Sequence, residues 1–570
     1  MVRNQIKNLI KKIPAVAKVM VSKKIDFSVE VPEEKTHGDY ATNIALVLSK
    51  KLKKAPMEIA ESLHSKFQIL NSKFLDKIEV AKPGFINFFL KPEFLQEQIK
   101  EILKADKNFG RQRTGNGQTV IIDYSSPNIA KPMHVGHLRS TIIGQALYNI
   151  YKFLGFKTIG DNHLGDWGTQ FGIMIAACKK YKINLRNITI KQMLDIYVKF
   201  NKEIKKNPEL QKKAREEFKK LEDGDKENRK IWEILHEKSL KEFEKIYKIL
   251  EVKFDLTLGE SFYEKYLKQE IETALKKKIA IKNPDNSVII TLDKFNLPPF
   301  LIQKSDGATL YSTRDLATIR YRVKKYKPVK IIYVVGNEQT LPFEQLFHSV
   351  ELLKYISSDK LFHIKFGMVL DENRKKLATR TGRVVSAEEL INKAIELANK
   401  IIQEKNPKLP TKEREKAAKI IGIGALKYND LSQNRQTDII FNWQKMLSLK
   451  GNSGPYLQYS YVRLRSILRK AGRLKAFKPE LLKEKEELEI LKELIKFPEI
   501  VEESGEKFQV NLLSNYLYNL ASLINGFYEK FPILKAEKDI KLARLALIKA
   551  ATIVLKRGLN LMGVSTPEKM

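Results

Sequence analysis

Residues 120–154, which read VIIDYSSPNIAKPMHVGHLRSTIIGQALYNIYKFL, constrain the fold of this chain more than any other stretch. The β-branched, apolar run 119–122 suits a buried strand, and the serines and proline at 125–127 end that pattern. From Gly136 onward, apolar residues recur at every fourth position, as on one face of a helix: Leu138, Ile142, Ala146 and Ile150. Gly155 supplies a C-terminal stop. The pattern predicts strand, loop and helix, with His-Val-Gly-His at the turn.

This turn has the chemistry for binding phosphate. A helix N-terminus presents unpaired N–H groups and partial positive charge, which favour anions. Gly136 lacks a β-carbon that would block a ligand, and His134 and His137 can donate hydrogen bonds to phosphate oxygens. Alone, the H-x-G-H pattern fits zinc ligation or plain packing comparably well. Between a strand and a helix, preceded by Ser-Ser-Pro-Asn and followed by Leu-Arg-Ser, it favours nucleotide chemistry.

Composition predicts a soluble, multidomain chain with a polyanionic partner. The 570 residues suggest several domains, and no apolar segment is long enough for a membrane span. A net charge of +37 favours RNA through phosphate neutralisation, although a lysine-rich proteome would produce the same excess. The basic, amphipathic start lacks the apolar core of a secretory signal, and a mitochondrial presequence is the weaker alternative, so we expect a cytoplasmic protein. The single cysteine, Cys178, lies among small apolar residues and is expected to be buried; with one cysteine, no intramolecular disulfide and no multi-cysteine zinc site can form.

Strands alternating with helices predict a parallel sheet with ligands at the carboxyl ends of its strands. A second strand at 156–159 leads into GDNHLGDWGTQ, where His163 and Gln170 are candidate substrate contacts and Trp167 is expected to pack. The Lys/Glu-rich stretch 180–295 is typical of helices with solvated faces and is interpreted as an insertion. Further predicted strands cover 329–335 and 363–368.

Outside this sheet, the first 112 residues predict a small α+β unit. One helical face comprises Ala41, Ile44, Ala45, Leu48 and Leu52, and Pro56 starts a second helix carrying Ile59, Ala60 and Leu63. Strands are predicted at 78–80 and 85–90, joined by Lys-Pro-Gly. A capping-box pattern at Ser386 and Glu389 starts another helix, and beyond about 395 the chain is almost wholly helical.

Residues 125–144 resemble the signature of class I aminoacyl-tRNA synthetases, in the form found in arginyl-tRNA synthetases, and further matches cover nearly the whole chain. The resemblance implies an α/β fold with a Rossmann-type parallel-sheet catalytic domain at 113–394, containing the insertion at about 180–295. It implies a small α+β tRNA-recognition domain at 1–112. It also implies an all-helical anticodon-binding domain at 395–570, clearest over 451–570.

By the same resemblance, ATP is bound by Lys131, His134, Gly136 and His137 together with a basic loop at 374–382, in which Lys376 and Arg380 are the candidates. This loop resembles a degenerate K-M-S-K-S motif without its usual second lysine, for which Lys131 would compensate. The implied arginine-binding residues are Asn128, Asp123, Tyr311, Asp315 and Gln339. Tyr311 and Asp315 are four apart and would share one helical face, and a guanidinium favours planar recognition by a carboxylate. Asp123 stands where relatives often carry Glu, so its contact would require a water.

The implied tRNA contacts lie at both ends of the chain. Phe85 and Asn87 would stack on and hydrogen-bond a D-loop base, although both fit a half-buried strand nearly as well. The candidates in the helical domain are Tyr456, Tyr459, Arg463, Tyr528 and Met570, each of which fits a core aromatic or a solvated charge when taken alone.

The expected activity is ATP-dependent ligation of L-arginine to the 3′ end of its tRNA through an arginyl-adenylate. The implied partners are ATP with Mg²⁺, arginine and tRNA, without zinc or a tightly bound cofactor, in a cytoplasmic monomer. Two alternatives stay open. Lysine would also suit an acidic pocket, although Tyr311 opposite a planar guanidinium favours arginine. A non-catalytic RNA-binding protein would keep the fold, although the intact histidine motif and Asp315 favour an enzyme.

Overall fold

The computed structural model describes residues 1–14, 16–17, 25–69, 72–375, 377 and 385–570. The chain divides into two compact units. The first comprises Met1–Arg111, Leu457–Glu506 and Leu512–Leu559; the second comprises Gln112–Tyr456, Lys507–Asn511 and Asn560–Met570. None of the helices in the described part of the chain has the length and apolar character that crossing a membrane requires.

The first unit contains a four-stranded antiparallel sheet in the order β1-β2-β4-β3. Its strands are β1 (Val29–Glu30), β2 (Tyr40–Thr42), β3 (Leu75–Ala81) and β4 (Phe85–Leu90). The accompanying helices are Val2–Lys12, Ile44–Leu52, Pro56–Ile69 and Pro92–Ala105. The predicted strands and the helix from Pro56 are confirmed. The helical prediction for Ala41 was wrong, because its backbone pairs with Asn87 in the sheet, and Leu52 is exposed rather than part of the core.

Helices from the second half of the chain complete this unit. They are Lys485–Glu506 and the greater parts of Gly454–Ala471, Val510–Lys530 and Lys538–Leu561. Glu499 is buried among them and is held by two residues from the start of the chain. Its Oε1 accepts from the backbone N–H of Arg3 at 2.7 Å, and its Oε2 accepts from the hydroxyl of Tyr40 at 3.0 Å. A buried carboxylate needs such partners, so this cluster connects the sheet to the helices within the unit.

The second unit is organised around a parallel sheet. Its strands in chain order are β5 (Thr119–Asp123), β6 (Lys157–Asp161), β7 (Ala280–Lys282), β8 (Val288–Ile290), β9 (Phe300–Gln303), β10 (Lys330–Tyr333), β11 (Leu361–His363), β12 (Val369–Leu370) and β13 (Ile439–Ile440). The parallel order is β11-β10-β5-β6, with Ile122 opposite Ile332. The predicted alternation of strands and helices therefore produces the expected doubly wound arrangement, and the predicted fold class is confirmed.

Helices surround this sheet and form most of the insertion. They are Val135–Phe153, Thr169–Lys180, Ile190–Lys206, Glu209–Glu222, Lys226–Ile249, Leu267–Lys276, Tyr311–Tyr326, Thr340–Leu352, Ala387–Lys405, Thr411–Leu431 and Trp443–Met446. The helix Val135–Phe153 buries the four predicted apolar residues, and Gly155 follows it with φ of +88°. Ser386 and Glu389 form the predicted capping box. Cys178 and Trp167 are buried as predicted, and burial raises the pKa of the Cys178 thiol to about 12.

Two predictions about strands were wrong. The insertion is not helical up to 295, because β7, β8 and β9 form an antiparallel sheet there, with a turn at Asn286 where φ is +69°. The strand predicted at 363–368 ends at His363. Beyond it, the backbone N–H of Gly367 donates to the carbonyl of Arg435, and that of Met368 donates to Asp438, so these donors leave the sheet.

Candidate active site

The two histidines of the signature cap the helix Val135–Phe153. Nδ1 of His134 accepts from the backbone N–H of Gly136 at 3.1 Å, and Nδ1 of His137 accepts from the backbone N–H of His134 at 3.2 Å. Their rings stack with centroids 3.7 Å apart. Because each Nδ1 accepts, the proton of each neutral ring lies on Nε2, which remains available as a donor. A β-carbon on Gly136 would approach the His134 ring to 3.0 Å, so the cap itself also favours glycine here.

Both imidazoles are held in the neutral form. Burial lowers the pKa of His137 to about 3, and the neighbouring His134 and Lys131 add to this effect. Partial burial and then the charge of Lys131 lower the pKa of His134, while Glu338 acts in the opposite direction. At neutral pH the pair therefore offers two N–H donors without positive charge.

The loop between β5 and this helix has a strained backbone. Ser125, Ser126 and Ala130 have φ of +72°, +44° and +61°, in the left-handed region that favours glycine. Side chains bind each of their N–H groups: Ser140 Oγ accepts from Ser125, Asn162 Oδ1 from Ser126, and Ser239 Oγ from Ala130, at 2.9 to 3.1 Å. These hydrogen bonds help to hold the loop in a conformation that its own residues do not favour.

Asp123 and Asp161 end two adjacent strands and share one buried cation. Arg322 Nη2 donates to Asp123 Oδ2 at 2.6 Å and to Asp161 Oδ2 at 2.8 Å. The other oxygen of Asp123 accepts from Ser126 Oγ at 2.9 Å. The protein's own guanidinium thus pairs with Asp123, a residue predicted to bind arginine.

Asn128 lies against the glycine-rich segment that follows β6. Asn128 and Gly165 form a parallel β-bridge, and a β-carbon on Gly165 would lie 2.0 Å from Asn128 Oδ1. Of the two candidate contacts in this segment, His163 Nδ1 lies 2.9 Å from the carbonyl of Leu258, and Gln170 Nε2 donates to the carbonyl of Gly165 at 3.2 Å. Only glycine at position 165 therefore leaves room for the side chain of Asn128.

Tyr311 and Asp315 lie on consecutive turns of the helix Tyr311–Tyr326, as the four-residue spacing predicts. The ring of Tyr311 is 55% exposed. Asp315 is half-buried, and within the described residues its carboxylate forms no ion pair or hydrogen bond. Burial raises its pKa to about 6, while His163 and then Arg314 act in the opposite direction. Asp315 is a desolvated carboxylate that a cationic ligand could reach.

A second buried carboxylate lies behind Tyr311. Glu260 Oε2 is 3.2 Å from Arg314 Nε, and the guanidinium of Arg314 lies 4.7 Å from the centre of the Tyr311 ring. Burial raises the pKa of Glu260 to about 8, against the charge of Arg314. Arg314 thus supports the tyrosine ring from within the protein.

Lys131 lies with its Nζ 4.4 Å from the centre of the Tyr197 ring. Gln339 is exposed in a short 3₁₀ turn, Asn337–Gln339, after β10, next to Glu338. Lys376 and Arg380 lie outside the described residues. Of the other predicted ATP- and arginine-binding residues, Asp123 ends β5, Gln339 follows the neighbouring strand β10, and Asn128, Lys131, His134, Gly136 and His137 lie between β5 and the first turn of the next helix. Tyr311 and Asp315 lie on the helix whose Arg322 pairs with Asp123.

The predicted tRNA contacts divide between the two units. In the first, Phe85 is 37% exposed on β4 while Asn87, two residues on, is only 4% exposed. Arg463 lies with its guanidinium 5.2 Å from the Tyr459 ring and 5.0 Å from the Tyr528 ring. Tyr456 and Met570 belong to the second unit, and both are half-buried.

Sequence reasoning missed several residues that shape the site: Arg322, Arg314, Glu260, Ser239 and Tyr247. Ser239 and Tyr247 lie on the charged insertion helix Lys226–Ile249, and the Tyr247 hydroxyl is 2.8 Å from Ser125 Oγ. A spacing of eight residues, which returns to one helical face, was a signal that could have found this pair. Among the described residues, no group of three or more His, Cys, Asp and Glu side chains has a metal-binding arrangement.

Three family models match the chain in succession. They are described as "Arginyl tRNA synthetase N terminal domain" over residues 2–90, "tRNA synthetases class I (R), catalytic domain" over 98–443, and "DALR anticodon binding domain" over 457–570. The catalytic-domain model alone matches more than half of the chain. It includes the signature loop, the insertion and the helix that carries Tyr311 and Asp315.

Relatives of this chain cover almost its whole length. The arginine–tRNA ligase of Clostridium botulinum (strain Loch Maree / Type A3) is 43% identical over 551 residues, and that of Clostridium kluyveri (strain ATCC 8527) is 44% identical over 554 residues; both matches cover 96% of each chain. The crystal structure of arginyl-tRNA synthetase from Plasmodium falciparum superimposes with a TM-score of 0.85 and 28% identity, covering 100% of this chain and 99% of the other.

The parallel sheet and the capped signature helix are those of a class I aminoacyl-tRNA synthetase. Within that class, the chain belongs to the arginyl-tRNA synthetase family.

Proposed function

We propose that this protein ligates L-arginine to the 3′ end of tRNA in two steps, through an arginyl-adenylate, and releases AMP and pyrophosphate. The observation that carries the choice of substrate is the carboxylate of Asp315, which is half-buried and forms no ion pair within the described residues. A guanidinium offers the planar, charged donor set that such a carboxylate binds best. Tyr311, one turn earlier, supplies an aromatic face for the same group.

In the first step, a carboxylate oxygen of arginine attacks the α-phosphorus of ATP, and the bond to the β-phosphate breaks as pyrophosphate leaves. ATP enters as its magnesium complex. The Nε2–H groups of His134 and His137 donate to phosphate oxygens as charge develops on them, and Lys131 binds the departing phosphates. We propose the same role for Lys376 and Arg380. Neutral imidazoles suit this role because they need no desolvation of a charge.

Asn128, held against Gly165, fixes the amino-acid end of arginine, and Gln339 hydrogen-bonds near the guanidinium. Asp123 acts through a water, since its short, buried side chain is held in place by Arg322 and Ser126. In the second step, the 2′-hydroxyl of the terminal adenosine attacks the activated carbonyl carbon. The ester forms as the bond to AMP breaks, and the hydroxyl proton is released to water. Positioning and electrostatics account for both steps without a covalent enzyme intermediate.

We further propose that residues 1–112 recognise the outer corner of tRNA and that 395–570 read the anticodon. Exposed Phe85 offers a stacking face, while Asn87 is buried on an interior strand of the sheet and would need an opening of its surroundings to reach the base. Arg463 offers a planar cation beside the rings of Tyr459 and Tyr528. Tyr456 and Met570 are separate candidate contacts. The protein acts as a cytoplasmic monomer, with no cofactor other than magnesium.

The experiment that tests this function is charging of total tRNA with each labelled amino acid in turn, in the presence of ATP and Mg²⁺. Labelling by arginine alone is the expected result. Labelling by lysine would keep the reaction and overturn the assignment of Asp315 and Tyr311. No labelling, with tRNA still bound, would favour a non-catalytic RNA-binding protein.

The tRNA contacts need a separate measurement. The variant Phe85→Ala should weaken tRNA binding about tenfold, since loss of one stacked base costs roughly 1–3 kcal/mol. Phe89→Ala is the matched control, because Phe89 lies on the same strand and is half-buried. Equal weakening by both variants would indicate loss of strand packing and not of a base contact.

A further inference from the structure

We infer that Tyr197 is a positioning residue for Lys131, so that the helical insertion determines where the phosphates of ATP are bound. This inference rests on the proposed function, which assigns Lys131 to those phosphates. Tyr197 lies on the insertion helix Ile190–Lys206, and the Lys131 ammonium lies 4.4 Å from the centre of its ring. That distance is typical of a cation–π contact.

Apolar side chains of the insertion also contact Tyr197. It packs against a buried cluster that joins the insertion to the helix Thr169–Lys180, formed by Ile173, Ala176, Ala177, Phe200 and Ala214. A ring held in this way gives the ammonium a defined partner. No carboxylate among the described residues forms an ion pair with Lys131, so its charge stays available to an anionic ligand.

A second helix of the insertion holds the backbone of the same loop. Ser239, on the helix Lys226–Ile249, accepts a hydrogen bond at 2.9 Å from the N–H of Ala130, the residue before Lys131. The hydroxyl of Ser239 donates in turn to the carbonyl of Leu235 at 2.7 Å. The insertion therefore contacts both the backbone before Lys131 and the end of its side chain.

Among the described residues, the Tyr197 ring contacts Lys131 and the apolar cluster. A lysine side chain has four rotatable bonds, and without the ring its ammonium would occupy the productive position for a smaller fraction of the time.

Steady-state charging of tRNA with arginine, at varied ATP, tests this role. We expect Tyr197→Leu to raise the KM for ATP about five- to tenfold, with the KM for arginine within about twofold of the parent value. Tyr197→Phe keeps the ring and should stay within about twofold of the parent in both constants. A loss of packing alone would not separate the two substrates in this way.

Tyr181→Leu is the matched control. Tyr181 packs against the same cluster, and Lys199 lies 4.2 Å from the centre of its ring, but Lys199 is not among the residues of the proposed site. The control also removes the hydrogen bond from the Tyr181 hydroxyl to Glu203, so it should lower the midpoint of thermal unfolding at least as much as Tyr197→Leu while leaving the KM for ATP unchanged. A similar rise in that KM in both variants would show a general loosening of the insertion and would overturn the inference.

The decisive comparison is made in a Lys131→Ala background. If Tyr197 acts through Lys131, adding Tyr197→Leu should change the KM for ATP by less than about twofold. A further five- to tenfold rise, or an unchanged KM in Tyr197→Leu alone, would overturn the role. Failure of the parent protein to charge arginine would overturn the proposed function, whereas normal charging by every Tyr197 variant would overturn only this inference.

Discussion

Arg322 holds the ends of two neighbouring parallel strands through the carboxylates of Asp123 and Asp161, which lie opposite each other in the sheet. The end of a third strand contributes Tyr333, whose ring centre lies 5.5 Å from the Arg322 guanidinium. Arg322 lies on the same helix as Tyr311 and Asp315. This cation therefore fixes the pocket helix to the strand ends beside the signature loop.

Replacing Arg322 should strongly lower the free energy of unfolding of the second unit. Arg322→Met would leave two buried carboxylates without their cation, and removing one partner of a buried ion pair costs about 3–5 kcal/mol. Lys324→Met on the same helix is the control, because Lys324 is exposed and forms no ion pair among the described residues, so its loss should cost about 0.5 kcal/mol or less. Chemical denaturation measures both free energies of unfolding. Equal losses of unfolding free energy in the two variants would show that the buried ion pairs of Arg322 with Asp123 and Asp161 do not stabilise the fold more than the control residue does.

The kcat/KM for arginine should fall at low pH because Asp315 becomes protonated. Burial raises the pKa of this carboxyl to about 6 in the free protein, and the protonated form cannot pair with a guanidinium. The kcat/KM for arginine should therefore fall about tenfold for each pH unit below about 6 and level off above it. The profile should persist in Asp306→Asn, an exposed aspartate before the same helix, while Asp315→Asn should lose about a hundredfold at neutral pH. A flat profile through pH 6 would contradict this assignment.

The activity of His137 variants should depend on where the new side chain places its hydrogen-bond donor. His137→Ala should slow adenylate formation about 10²–10³-fold, since one preorganised donor contributes that much, and leave tRNA binding within a few-fold. The side-chain amide of Gln reaches the position of Nε2, whereas that of Asn reaches only Nδ1. His137→Gln should therefore retain about tenfold more activity than His137→Asn, as measured by pyrophosphate release. The reverse order would place the functional donor on Nδ1.

A methyl group at Gly165 should displace Asn128. The added β-carbon would lie 2.0 Å from Asn128 Oδ1, which forces this side chain away from its position. We expect Gly165→Ala to raise the KM for arginine about tenfold, by the loss of one or two hydrogen bonds worth about 1 kcal/mol each. Gly526→Ala should leave activity unchanged, because the added β-carbon would meet nothing within 4 Å beyond the local backbone of its own helix. An unchanged KM in Gly165→Ala would argue against a role for Asn128.

The sequence predicted the elements whose patterns are local. A β-branched run predicts the strand Thr119–Asp123, and apolar residues at every fourth position predict the helix Val135–Phe153. A short polar motif predicts the capping box at Ser386. The spacing of Tyr311 and Asp315 predicts one shared face if the segment is a helix, and the structure shows that it is. In each case neighbours in the chain determine the structure.

The buried charges could not be predicted in this way. Arg322 lies in the basic stretch YRVKKY and resembles a surface residue, and only carboxylates 199 and 161 positions away give it a reason to be buried. Ser239 lies in a helix whose composition predicts a solvated face, yet it accepts from the strained loop at Ala130. β7 and β8 are only three residues long each, which is too short for an alternating pattern to be recognised within a lysine-rich stretch.

The cluster of Arg3, Tyr40 and Glu499 has a consequence for anyone who divides this chain into fragments. Burial raises the pKa of Glu499, and its two oxygens accept from residues that a fragment beginning after residue 111 would lack. Such a fragment would expose the apolar face around an unpartnered carboxylate. The amino-terminal piece should therefore be co-expressed as a separate polypeptide and not deleted, so that Arg3 and Tyr40 can still bind Glu499.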